Sequence, residues 1–285
     1  FRSLLSCLAV ITAQAPPVQA ASGPLPATIN ADYQLGGAYT PPAGVNVVVR
    51  DSTDKPAPGV FNICYVNGFQ TQPGIVWPKA LMLLNANGKP IADPNWPDEY
   101  FLDISTDGKR RAILAKLIPV IKGCSAKGFQ AVEFDNLDSY TRTGGRLTVA
   151  HAVAFAKMLV EQTNLASMAA GQKNSPDLAQ RGSGEIGFSF VVSEECHRWD
   201  ECAAFTGVYG RNQVIGIEYA DDLRGTFAEA CAGSVAVCPR PDAVRPSPTC
   251  RSGPAASRGR RRERPRGVMG PSCRLPGAEG SGAPG

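Results

Sequence analysis

Three segments of this 285-residue chain share one form, an apolar run that ends in carboxylates. They are Ala131-Val132-Glu133-Phe134-Asp135-Asn136-Leu137-Asp138, Phe188-Ser189-Phe190-Val191-Val192-Ser193-Glu194-Glu195-Cys196 and Val214-Ile215-Gly216-Ile217-Glu218-Tyr219. An unpaired carboxylate in the middle of a buried strand is costly to desolvate, so acids gathered after apolar runs mark strand ends. In a barrel of parallel strands the C-terminal ends meet on one face, and that face holds the active site. Three strands delivering acids to one rim predict general acid/base or nucleophilic carboxylate chemistry.

Side chains alternate along a strand, so Glu133 and Asp135 point the same way. Beside a helix layer both would be buried unpaired, which favours the rim. The alternative is a pair of solvated loop acids, or acids bridged to Lys173 or Arg142. Close like charges raise one pKa and help to make a general acid. Of Glu194 and Glu195 only one can face the lumen while the strand persists; Glu194 is preferred, with Glu195 in reserve. Lys173, in Gln172-Lys173-Asn174, ends a further strand and could hold a neighbouring carboxylate ionised or form a structural ion pair. Tyr219 could stack on a sugar face or simply pack, and the same choice applies to Trp77, Trp96 and Trp199 in loop-like contexts. His151 falls inside a helix and is expected to be structural. Cys196, His197 and Cys202 lack zinc-like spacing. The chain carries no Gly-rich phosphate loop, nucleophile elbow or HExxH. No metal and no cofactor is expected.

The elements that must position these groups alternate between strand and helix. Strand-like segments run over 32–36, 46–51, 61–67, 100–105, 131–136, 168–174, 187–194 and 214–219. Lys109–Lys122 is apolar at Ile113, Leu114, Leu117, Ile118 and Ile121, a helical spacing that Gly123 would end. Thr148–Asn164 is a second helix with Val153, Phe155, Ala156, Leu159 and Val160 on its inner side. Strands alternating with helices imply a parallel sheet, and eight of them imply a (β/α)8 barrel of the α/β class. The first third is less regular. Only Ser52–Val60 separates the second and third strands, short for a parallel crossover, so either that helix is degenerate or the second strand is misplaced.

Composition divides the chain. Residues 1–21 have the form of a signal peptide, with basic Arg2, an apolar run from Leu4 to Ile11 and a small-residue exit at Val18-Gln19-Ala20. That run is too short to span a bilayer, so no membrane association is expected once it is cleaved. The barrel is placed at 22–233. From about 234 to 285 the text turns to Pro, Arg, Gly, Ser and Ala, expected to be a disordered tail or an out-of-frame translation. Residues 239–285 hold ten Arg and no Lys against three acids, while the whole chain is only +4. The body is therefore net acidic, which gives no sign of a nucleic-acid partner and suits a cationic ligand. Of nine cysteines, six (Cys64, Cys124, Cys196, Cys202, Cys231, Cys238) remain once Cys7, Cys250 and Cys273 are set aside. An even six in an exported protein implies disulfides, with Cys196 and Cys202 the best pair.

Motifs along the chain are Asp32-Tyr33-Gln34-Leu35-Gly36, Ile63-Cys64-Tyr65-Val66, Trp96-Pro97-Asp98-Glu99 leading to Leu102-Asp103-Ile104, and Lys127-Gly128-Phe129 leading to Val132-Glu133-Phe134-Asp135-Asn136. Lys173-Asn174, Glu194-Glu195-Cys196, Asp200-Glu201-Cys202 and Glu218-Tyr219 complete the set. In these motifs the chain resembles the endo-α-1,4-polygalactosaminidases of glycoside hydrolase family 114. The resemblance implies a (β/α)8 barrel that cuts α-1,4-linked galactosamine polymers, with Asp135 and Glu194 as its catalytic pair. Glu133, Asn136, Asp138, Lys173, Glu195, Glu218 and Tyr219 are the candidates for substrate contact. The expected partner is a cationic amino-sugar polysaccharide met outside the cell by a monomer. Members of the family continue past Cys231 into a further apolar strand with an Arg-Asp ending; here the Arg/Pro tail stands in its place.

Overall fold

Eight parallel strands pair in chain order from β1 to β8, each hydrogen-bonded to the next, in a TIM-type barrel. They are β1 (Ala31–Gln34), β2 (Val47–Asp51), β3 (Phe61–Asn67), β4 (Ala131–Asp135), β5 (Ala169–Lys173), β6 (Phe190–Glu194), β7 (Val214–Ile217) and β8 (Ala236–Val237). The structure, a computed structural model, describes residues 25–219, 222–226, 229–230 and 236–237. The signal segment, the tail apart from β8, and Cys7, Cys231, Cys238, Cys250 and Cys273 lie outside the described residues.

Two apolar faces follow from the strand alternation. Ala31, Val47, Val49, Ile63, Ala131, Ala169, Phe190, Val192, Ile215 and Ile217 point into the lumen and pack on one another. Cys64, Val66, Val132, Phe134 and Ala170 point outward and are covered by helices. Among the described residues those helices are α1 (Asp107–Lys127) and α2 (Val149–Leu165), while the short α3 (Ala179–Arg181) and α4 (Cys202–Tyr209) pack Ala179 and Phe205 on Val191 and Val214. Strands buried on both faces read as near-continuous apolar runs, which is why Val47-Val48-Val49 and Phe190-Val191-Val192 show no polar alternation.

Helix α1 continues past Gly123 and ends at Gly128, whose φ of 97° is open to glycine at little cost. Its N-cap is Thr106, whose hydroxyl accepts from Lys109 N. Helix α2 starts after Thr148, and His151 returns a bond to the Thr148 backbone N–H, so this histidine is part of a helix cap.

Two strand assignments change. The segment 100–105 is not a barrel strand. Tyr100, Phe101 and Leu102 form isolated antiparallel bridges with Ala92, Gln70 and Met82 in the long β3–α1 excursion, and Phe101, Leu102 and Ile104 bury against the outer helical layer. The eighth strand is instead Ala236–Val237, beside β7, within the stretch that composition assigns to the tail. The short β2–β3 connection does hold two genuine strands. Its helix is replaced by turns tied down by Asn62, whose side chain accepts from Ala57 N at 2.7 Å and donates to Ala57 O at 2.8 Å.

Candidate active site

At the C-terminal rim β4, β5 and β6 each end on a charged side chain: Asp135, Lys173 and Glu194. Lys173 is buried, and its Nζ stands 3.5 Å from Glu194 Oε2, 3.8 Å from Asp135 Oδ2 and 3.8 Å from Glu133 Oε1. Burial alone would discharge this lysine. The carboxylates of Asp135, Glu194 and Glu133 outweigh it and hold the ammonium charged beyond the usual lysine range. The rings of Tyr33 and Tyr65 flank the same nitrogen at 5.2 and 5.5 Å.

Each rim carboxylate also accepts from a phenol. Tyr65 donates to Asp135 Oδ2 at 2.7 Å, and Tyr219 donates to Glu194 Oε1 at 2.5 Å. Burial, with the adjacent acids, raises the pKa of both tyrosines, so they remain donors. Asn174 brackets Glu194, donating to Oε2 at 3.3 Å and accepting from Glu194 N at 2.8 Å. Asn136 adopts a left-handed φ of 64° directly after β4, and its own N–H bonds Asp135 Oδ1. Its side chain bridges Asn67 and Arg142.

Both Asp135 and Glu194 keep an open side, with 20% and 27% of the side chain exposed. They share a cleft of about 310 Å³ with Asn136, Asp138, Lys173, Asn174, Arg142, Asp93, Trp96 and Glu99. Arg142 clamps Asp138 and Asp93 at 2.7 and 2.8 Å, so Asp138 reaches the cleft as half of an ion pair. Two carboxylates and an ammonium at one opening, with phenols aimed at the acids, can deliver a proton to one side of a bound ether oxygen and a nucleophile to the other.

Three of the sequence candidates stand away from that opening. Glu133 is fully buried below it, its Oε1 accepting from Tyr33 at 2.5 Å, so it cannot touch a substrate in the cleft. Glu218 is also buried and accepts from the backbone N–H groups of His197 and Arg198, which makes it the anchor of the loop after β6. Glu195 leaves the strand in a left-handed turn, φ 58°, and its carbonyl oxygen accepts from Trp199 N at 3.0 Å. A disulfide joins Cys196 to Cys202 across this loop, with Cα atoms 4.8 Å apart, and a second joins Cys64 of β3 to Cys124 of α1.

Tyr33, Tyr65, Asn174, Asn67 and Glu99 also belong to the site and are not among the residues expected there from the sequence. The two tyrosines had a signal. Each is the one hydroxyl-bearing residue of its strand and faces inward toward the rim-side end. Glu99 lies in the family-like stretch Trp96-Pro97-Asp98-Glu99 but has no strand-end signal, because it reaches the cleft from the β3–α1 excursion. Asn67 donates to its Oε2 at 2.9 Å, and burial followed by repulsion from Asp135 pushes its pKa up to about 7.

The model of glycoside hydrolase family GH114 matches residues 12–251. The chain belongs to that family. It is a glycosidase. No curated protein matches it in sequence. Among solved structures it is similar to Aspergillus fumigatus Ega3 in complex with galactosamine, at 20% identity and a TM-score of 0.60, covering 80% of this chain and 94% of that one. It is also similar to the glycoside hydrolase domain of PelA from Pseudomonas aeruginosa, at 15% identity and a TM-score of 0.53, covering 76% and 96%. At such identities the likeness is one of fold, and it extends over nearly all of each relative's length.

Proposed function

We propose that this GH114 member is an exported glycosidase that cleaves α-1,4-linked galactosamine polymers internally, with Asp135 and Glu194 as its reacting carboxylates. The observation that carries the reading is the shared ammonium: Lys173 Nζ lies 3.8 Å from Asp135 and 3.5 Å from Glu194 at one open cleft. One acid protonates the glycosidic oxygen, and the other attacks the anomeric carbon or activates water. Two oxygens that close to one nitrogen are at most about 7 Å apart, which spans the ~5–5.5 Å of a retaining pair and only the lower edge of inverting ones. Retention is therefore the expected stereochemistry. Asp51, Asp93, Glu99 and Asp138 line the cleft with, among the described residues, only Arg142 and Lys173 as cations, which suits a polymer bearing free amines. The galactosamine bound to Ega3 agrees with that choice of sugar. The two disulfides agree with an oxidising compartment.

The test is incubation of the full chain with purified α-1,4-galactosaminan and with its N-acetylated form, the products being sized and their anomeric configuration followed by NMR. Shortened oligomers retaining the α configuration, released mainly from the free-amine polymer, are expected. A folded protein that binds the polymer and releases nothing would contradict the reading and leave a sugar-binding barrel.

A further inference from the structure

Below the cleft, Glu133 presents an arrangement that substrate contact does not explain. It is wholly buried in the lumen, its Oε1 accepts from the Tyr33 hydroxyl at 2.5 Å, and Tyr33 in turn accepts from Lys173 Nζ at 2.9 Å. Its second oxygen, Oε2, is buried and meets no donor among the described residues. Strand β4 thus places two carboxylates on one side, two residues apart. Asp135 is open to the cleft and Glu133 is sealed beneath it, and both reach the same ammonium.

We propose that Glu133 is a positioning residue for the reaction: through Tyr33 and Lys173 it sets how much of the ammonium's field reaches Asp135 and Glu194. The inference rests on those two being the reacting pair. Among the described residues, the titratable groups that face Glu133 are Tyr33 of β1, Tyr65 of β3, Asp135 of its own strand, Lys173 of β5 and Glu194 of β6. Lys173 is the only cation among them, so three carboxylates divide one positive charge when Glu133 is ionised and two divide it when Glu133 is neutral. Burial is the chief cause that pushes Glu133 up to about 7, with Lys173 and Tyr33 opposing it, so this exchange falls near neutral pH. Ionised Glu133 draws on Lys173 and adds a negative charge beside the pair, so whichever of Asp135 and Glu194 carries the catalytic proton holds it to higher pH. The sealed acid thereby widens the alkaline side of the working range without touching the sugar.

The experiment is the pH profile of kcat/KM on α-1,4-galactosamine oligomers for the parent chain, Glu133→Gln, Tyr33→Phe and Asp135→Asn. In Glu133→Gln the acid limb is expected to stay in place, since Gln resembles the neutral carboxyl. The alkaline limb is expected to move down by about one pH unit, a shift on the scale of one added charge at this range. Tyr33→Phe is expected to shift it the same way by less. It both disfavours ionised Glu133 and frees Lys173 for the pair, and it decides the matter should Glu133→Gln not fold. A loss by one common factor at every pH, both limbs fixed, would make Glu133 a packing residue and overturn the inference. Parent-like turnover in Asp135→Asn would remove the pair itself, and the inference with it.

Discussion

The lumen of this barrel has two regions built on the same strands. In the lower one Val47, Ile63, Ala131, Ala169, Phe190 and Ile215 meet as an apolar plug. In the upper one Tyr33, Tyr65, Glu133, Asp135, Lys173 and Glu194 meet as a ring of phenols and charges around a single ammonium. The change takes two residues on β4, from Ala131 to Glu133, and four on β5 and β6, from Ala169 to Lys173 and from Phe190 to Glu194. The plug excludes water from beneath the ring, and the ring's charges act more strongly on one another for it. Gly171 marks the boundary. A Cβ there would lie 2.3 Å from the Phe190 ring, so a missing side chain on β5 makes room for the aromatic that fills the floor. In the proposed reading the lower region supplies stability and the upper one reactivity, and Lys173 and Glu133 stand where the two meet.

The largest effect is expected where the two functions join. Lys173→Met leaves three acids facing one another without their cation. It should cost about 3–5 kcal/mol by urea unfolding, together with most of the turnover, as breaking a buried pair does. A variant of parent stability would mean that the upper ring does not depend on its ammonium.

Next comes pH. Glu133 keeps its proton up to about 7 in the fold against an ordinary 4.5, because burial penalises its charge. Between those values the folded state binds more protons than the unfolded one, so this group makes stability fall as pH rises through the window and leaves it flat outside. The amplitude is on the order of 3 kcal/mol at ~1.4 kcal/mol per unit. Unfolding of the parent and of Glu133→Gln at a series of pH values should differ in slope only there.

Gly171→Ala should lower stability by about 1–3 kcal/mol, as overpacking does, with turnover per folded molecule much less affected. A thermal melt beside a rate measurement separates the two. The smallest effect is that of Tyr219→Phe, which removes one donor from Glu194. A roughly tenfold fall in kcat/KM with little change in melting temperature is expected, the scale of a single hydrogen bond.

The sequence shows the upper ring only in outline. Asp135 and Glu194 are legible because acids cannot sit inside apolar runs, and Lys173 because it ends another such run. The same rule misplaces Glu133: an acid sharing a side with Asp135 is expected at the rim, yet this one is buried two residues lower because Tyr33 and Lys173 compensate it. Glu218 looks like a third rim acid and is spent on holding the backbone of His197 and Arg198. Partners from distant strands carry no local signal, and a buried charge is decided by its partners. Strand existence is legible wherever β-branched and aromatic runs recur, as at 47–49 and 190–192. It fails at 100–105, where an apolar run of strand length packs outside the barrel.

The measurement that bears most directly on the two-carboxylate site is turnover of α-1,4-galactosaminan by Asp135→Asn and by Glu194→Gln, each beside its own unfolding curve. Both variants should melt close to the parent and lose about 10²–10⁴-fold or more in kcat, the scale for removing a positioned acid or base. Parent-like turnover in either folded variant would contradict the assignment.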